Sequence, residues 1–125
     1  MEKKDFYGTK RVTAWPEVRE SDGQEGYAVT YEDGYTSWSP KGVFEAAYQP
    51  IDALSFGHAI VVLKSGGKVS RKGWNGVGLW LELQVPDEHS KMTLPYIYLN
   101  YPDGQRVPWL ASQTDVLSDD WIIVA

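Results

Sequence analysis

Val69-Ser-Arg-Lys-Gly-Trp-Asn-Gly-Val-Gly-Leu-Trp-Leu-Glu-Leu83 is the stretch on which the reading of this chain turns. Two short apolar runs flank a turn built on Gly73, Gly76 and Gly78, with Arg71, Lys72 and Trp74 at its start. The glycines fall as G-x-x-G-x-G and feed a strand rather than a helix, so the Rossmann fingerprint does not fit. Upstream, Gly66-Gly67-Lys68-Val69 lacks both the Ser/Thr and the earlier glycine of a phosphate loop. A tight connection between strands is what remains. It predicts one short strand over Lys68 to Lys72 and a second, of alternating character, over Leu79 to Val85, closed by Pro86-Asp87.

Working outward, Ser55 reads as an N-cap. Phe56, Ala59, Ile60 and Leu63 follow at i, i+3, i+4 and i+7, the spacing of an amphipathic helix that Gly66-Gly67 ends. On the other side, Tyr96 to Tyr101, the turn Pro102-Asp-Gly104 and Gln105 to Trp109 predict a hairpin. Ser112-Gln-Thr-Asp115 has the form of a capping box with Asp in place of Glu, opening a short helix, and Trp121 to Val124 reads as a terminal strand.

In the N-terminal part, residues 6 to 20 alternate like a strand, with Val12, Ala14 and Val18 on one side and Pro16 marking an edge. Tyr27 to Tyr31, Glu32-Asp33-Gly34 and Tyr35 to Trp38 form a hairpin whose Asp-Gly step supplies the positive φ of a tight turn. Ser39-Pro40 predicts an N-cap followed by proline at the first helical position, with a helix through Phe44, Ala47 and Tyr48 that Pro50 stops. The overall order reads ββα followed by αββββαβ. An α+β fold follows, with a small antiparallel sheet and short helices, preceded by a hairpin-helix extension over residues 1–52 and with the core over 53–125.

Length and charge bound what such a chain does. Its 125 residues make one ordinary domain, with room for two subdomains of about 50 and 70 residues. A formal charge of -5 argues against broad duplex DNA or RNA binding, which draws on a basic surface. Without cysteine there is no disulfide, no thiolate nucleophile and no cysteine metal site. Met1-Glu-Lys-Lys-Asp5 has no apolar leader and the longest apolar runs are far too short to span a bilayer, so no membrane partner is expected.

Against that acidic background, no Asp or Glu occurs from Ala53 to Leu81, where Lys64, Lys68, Arg71 and Lys72 cluster. Arg71 and Lys72 beside Trp74 are suited to a small anionic aromatic ligand, the cations holding phosphate and the indole stacking a base. The plainer reading is an exposed basic strand end and a core tryptophan. Trp109, just before the helix start at Ser112, Gln113, Thr114 and Asp115, adds a second indole and several donors, the plainer reading there being simple capping. Six tryptophans are more than one small core needs. His58 and His89 lack partners at ligand spacing and read as surface residues, so neither a metal nor a cofactor is expected. Nothing in the pattern pairs a nucleophile with its base.

These same residues carry a resemblance. Ser55-Phe-Gly-His-Ala59, Arg71-Lys-Gly-Trp-Asn-Gly76, Leu79-Trp-Leu-Glu-Leu-Gln84, Lys91-Met-Thr-Leu-Pro-Tyr-Ile97, Val107 to Asp115 and Asp120-Trp121 together resemble the phage and prophage anti-Thoeris proteins of the second type, "sponges" for immune signals. The likeness covers about residues 53 to 125. Residues 6 to 52 resemble an extension found on some phage-encoded members. The resemblance implies non-catalytic sequestration of cyclic ADP-ribose isomers, with some members also taking cyclic di- or trinucleotides, in homotetramers working in the cytoplasm of the infected bacterial host. It implies Trp74 and Trp109 as stacking walls and Arg71 and Lys72 near phosphate, with Asn75, Ser112, Gln113, Thr114 and Asp115 as polar contacts. The alternatives are an enzyme that degrades the signal with Asp115 or Glu82 as base, and a virion or host protein-interaction module built on surface aromatics.

Overall fold

Two antiparallel sheets, of three and five strands, and three short helices give the α+β architecture that the periodicities predict. The computed structural model describes residues 1–125, which divide into two units, Met1–Gln49 and Pro50–Ala125.

In the first unit, β1 (Thr13–Pro16), β2 (Gly26–Thr30) and β3 (Thr36–Pro40) pair in chain order, and α1 (Lys41–Ala47) follows. The unit therefore reads βββα, not ββα, because the alternating segment around Pro16 joins the hairpin as its edge strand. An edge is where a residue without an N–H is tolerated. Gly34 closes the hairpin at φ 88°, a conformation that costs a residue with a Cβ 1–2 kcal/mol or so. Ser39 does not cap α1. It pairs with Tyr27 inside β3, and Pro40 occupies the cap position without a side-chain hydrogen bond. Tyr27, Phe44 and Tyr48 then stack in series at 4.3 and 4.9 Å, which fixes α1 to the sheet in place of a cap.

The second unit carries α2 (Phe56–Lys64), β4 (Lys68–Arg71), β5 (Trp80–Gln84), β6 (Tyr96–Asn100), β7 (Arg106–Pro108), α3 (Gln113–Leu117) and β8 (Trp121–Val124). Its strand order is β7-β6-β5-β4-β8. The last strand thus lies beside the first, with Val69 opposite Ile123 and Arg71 opposite Trp121. Cross-strand partners share a face, and alternate residues share it with them. Val69, Leu81, Leu99, Trp121 and Ile123 accordingly line one side, and α2 lays Ala59 and Leu63 against it. Ser55 caps α2 as expected, but its reciprocal partner is His58, whose Nδ1 lies 2.9 Å from the Ser55 hydroxyl. The other face carries Lys68, Ser70, Trp80, Glu82, Tyr98 and Arg106. The registers through Val69–Leu81, Trp80–Asn100 and Asn100–Arg106 place them there.

Candidate functional site

Trp121 is the centre of the second core. It is 0% exposed, and its indole donates from Nε1 to the Asp115 carbonyl at 2.9 Å. Phe56, Trp74 and Trp109 gather around it at centroid distances of 5.4, 5.4 and 6.2 Å. Trp74 meets Trp121 edge-on at 78° and lies 6.4 Å from Trp109 at 59°. Both outer indoles are only half-buried. The two rings named from the sequence are therefore brought together. A third ring sandwiched between them would need about 3.5 Å of clearance on each side, which neither that separation nor that tilt provides. They form a corner, and a ligand ring would stack on its outer surface.

Beneath the corner lies an ion cluster whose members come from three stretches of chain. Arg71, at the end of β4, donates from Nη1 to Asp115 Oδ1 at 2.8 Å, and from Nε and Nη2 to the two oxygens of Asp120 at 2.8 and 3.3 Å. Trp74 donates from Nε1 to the same Asp115 oxygen at 3.1 Å, and the Gly73 N–H donates to Asp120 Oδ2 at 2.8 Å. The Asp115 carboxylate also completes the capping box of α3. Its Oδ2 accepts from the Ser112 N–H at 3.3 Å while its own N–H donates to the Ser112 hydroxyl at 3.0 Å.

Both carboxyls sit below the usual carboxylate range. For Asp115, burial is the largest single influence and pushes upward, but the hydrogen bonds from Arg71, Trp74 and Ser112 together outweigh it. For Asp120, the Arg71 hydrogen bond dominates, against burial and with help from the Gly73 N–H. The guanidinium of Arg71 is correspondingly raised, chiefly by Asp120. Arg71 and Asp115 side chains are each only 13% exposed.

The run of sequence free of acids is thus not free of them in space. Asp115 and Asp120 neutralise Arg71, and Asp52 comes within 3.7 Å of Lys72 at the surface. Lys72, Asn75, Gln113 and Thr114 are exposed, and Ser112 is exposed but occupied as the cap. His58 is taken by the α2 cap, and His89 lies in an exposed loop beside Glu88 at 3.4 Å. No group of three or more His, Asp and Glu side chains is gathered as a metal site. What sequence reasoning missed is the ion-pair role of Asp120 and the core role of Trp121. Their only signal was adjacency in Asp120-Trp121.

A second assembly of cations and rings occupies the opposite face of the same sheet. The ammonium of Lys68 lies 4.3 Å from the Trp80 ring, and the guanidinium of Arg106 lies 5.3 Å from Tyr98 and 6.0 Å from Trp80. The Tyr98 hydroxyl donates to Glu82. Beside it a shallow depression of about 80 Å³ is lined by Gln84, Tyr96, Tyr98, Arg106, Val107 and Pro108.

Fold and site define a small α+β domain, one helix layer on a five-stranded antiparallel sheet, with an aromatic corner over a carboxylate-bound arginine. Residues 54–124 match the model of the Thoeris anti-defense 2-like domain, and the chain belongs to that family. Among its relatives is a protein of Bacillus phage SP01 named Thoeris anti-defense 2. It is 35% identical over an alignment of 85 positions that takes in 58% of this chain and 96% of the relative. The first unit lies outside the family match. No helix is long and apolar enough to cross a membrane.

Proposed function

We propose that this chain counters Thoeris defence by holding a small cyclic nucleotide signal, of the cyclic ADP-ribose class, without breaking a bond in it. The observation that supports this reading most is the half-buried indole corner of Trp74 and Trp109, with Lys72 and Asn75 exposed on either side of Trp74 in the chain and Gln113 and Thr114 exposed at the start of α3. Stacking on such rings contributes about 1–3 kcal/mol per base. The exposed ammonium of Lys72 supplies attraction for phosphate, and the amide and hydroxyl groups read polar edges. The first unit is an extension to this binding core. The protein works as a homo-oligomer, tetrameric by family resemblance, in the cytoplasm of the infected host, and needs no cofactor. Sequestration acts by mass action, so affinity and abundance set its effect.

The degrading-enzyme reading is the weaker one. A base near neutrality needs a raised carboxyl pKa, whereas Asp115 is lowered and already accepts from Arg71, Trp74 and Ser112.

Calorimetry over cyclic ADP-ribose isomers and cyclic oligonucleotides, beside a mass measurement of the assembly, tests the proposal. At least one isomer should bind and be recovered intact, still able to activate the effector, after heat denaturation of the protein. Recovery of a cleaved product would establish the enzyme reading instead, and no binding across the panel would favour a protein-interaction role. Trp74→Ala and Trp109→Ala should each lose binding while the fold and assembly persist.

A further inference from the structure

We propose that Arg71 is a positioning residue for this site: acting through Asp115 and Asp120, it fixes the Trp74 indole and its loop, and it does not itself hold ligand phosphate. The inference rests on the reading of Trp74 as a stacking wall, and its geometry stands apart from that reading.

One oxygen of Asp115 accepts from both Arg71 Nη1 and Trp74 Nε1. The ring of Trp74 is thus held by a polar contact at its edge and by the edge-on contact with Trp121, and two such constraints set its orientation. Asp120 does the same for the backbone one residue earlier, accepting from Gly73 N–H and from Arg71. A single guanidinium therefore ties down both the start of the loop and the ring it presents.

Only a planar fork makes these contacts. Arg71 addresses two carboxylates on different edges through three nitrogens, and a lysine ammonium in its place is a single point with a different reach. The arrangement also disqualifies Arg71 as the phosphate contact. One cation between two carboxylates leaves the cluster with excess negative charge, and its side chain is 13% exposed, against 53% for Lys72. Attraction for an anion is greater at Lys72, whose one carboxylate neighbour, Asp52, lies 3.7 Å away at the surface, than at Arg71, held between two carboxylates at 2.8 Å.

The test is Arg71→Lys, which keeps the charge and loses the fork. In the ligand-free protein, the indole N–H resonance of Trp74, assigned by its disappearance in Trp74→Phe, should move away from its wild-type position. Binding of cyclic ADP-ribose isomers should weaken by about tenfold, the equivalent of ~1.4 kcal/mol, with the salt dependence of the dissociation constant unchanged. Arg71→Lys added to Trp74→Phe should cost little further affinity, because a residue acting through Trp74 has nothing left to act on.

Wild-type affinity in Arg71→Lys, an unmoved Trp74 resonance, a reduced salt dependence, or additive losses in the double variant would each overturn the proposal. Asp120→Asn, which keeps an acceptor for Gly73 but weakens the pairing with Arg71, provides a milder version should Arg71→Lys fold poorly. It should shift the same resonance by less. If the wild-type protein binds none of the isomers, the proposed function fails, and the ligand-free resonance alone decides whether Arg71 sets Trp74.

Discussion

The two faces of the five-stranded sheet use the same residue types to opposite ends. On the face covered by α2, Arg71 lies among Trp74, Asp115 and Asp120, largely out of water, and its charge is met by carboxylates at 2.8 Å. On the other face, a half-buried Lys68 and an exposed Arg106 rest over Trp80 and the buried Tyr98, and neither forms an ion pair within 4.0 Å. The difference follows from desolvation. A buried guanidinium without a counter-charge is costly by several kcal/mol, so burial of Arg71 demands the aspartates. An exposed cation keeps its water and gains only the modest attraction of a ring quadrupole. Cations beside indoles in a sequence therefore do not announce a free anion site, and the depth of each along the sheet decides.

The largest effect expected from this contrast comes from removing Asp115. Asp115→Ala strips one counter-charge from Arg71, the Nε1 acceptor from Trp74 and the reciprocal cap from α3 in one step. Breaking a buried pair from one side costs about 3–5 kcal/mol, and urea unfolding should show a loss of that order. A loss under about 1 kcal/mol would mean that the cluster behaves like a surface pair and that the two faces do not differ as argued. The same carboxyls govern acid stability. Asp115 and Asp120 titrate lower in the folded chain than in the unfolded one, whose value is about 3.9. Their contribution is therefore complete above that pH and is lost as pH falls below it through the folded values. In Asp115→Ala the remaining acid transition should be shallower.

How far this contrast could be read in the sequence depends on the range of the forces involved. Elements set by local chemistry were legible. The Asp33-Gly34 and Asp103-Gly104 hairpins, the Ser55 and Ser112 caps and the spacing of Phe56, Ala59, Ile60 and Leu63 all give the observed strands and helices. Where a local signal misled, as at Ser39, pairing with Tyr27 overrode it. The ion cluster was not legible, since Arg71 meets Asp115 and Asp120 across 44 and 49 residues, a proximity created only when β8 docks on β4. The indoles divide between the two cases. Trp121 is sealed in the core while Trp15, beside the edge-marking Pro16, is 45% exposed.

A middle-sized effect is expected where the loop backbone approaches the cluster. A Cβ added at Gly73 would lie 2.8 Å from Asp120 Oδ2 and 3.1 Å from Arg71 Nη2, inside normal contact. Those atoms are the working ends of the ion pair, so they cannot swing aside without losing partners. Gly73→Ala should cost about 1–3 kcal/mol, as overpacking does, and should move the Trp74 indole resonance. The loop itself tolerates alanine elsewhere only if the added methyl finds space. A neutral Gly73→Ala would mean that Asp120 and Arg71 shift together without loss, and would weaken the distinction between the two faces.

The smallest effect belongs to the face of Lys68 and Arg106. Lys68→Ala removes an ammonium 4.3 Å from the Trp80 ring while leaving the strand register and the buried Val69 beside it in place. An exposed cation–π contact is worth about 0.5–1 kcal/mol, so unfolding should change by no more than that, and the change should diminish in high salt as the ammonium is screened. Arg106→Ala is expected to cost slightly more, because its guanidinium also donates from Nε to Asn100 Oδ1 at 3.2 Å. A salt-insensitive loss of 2 kcal/mol or more from Lys68→Ala, well above the exposed range, would show that Trp80 and its cation are shielded from water. The two faces would then have to be distinguished by their counter-charges alone, with burial playing no part.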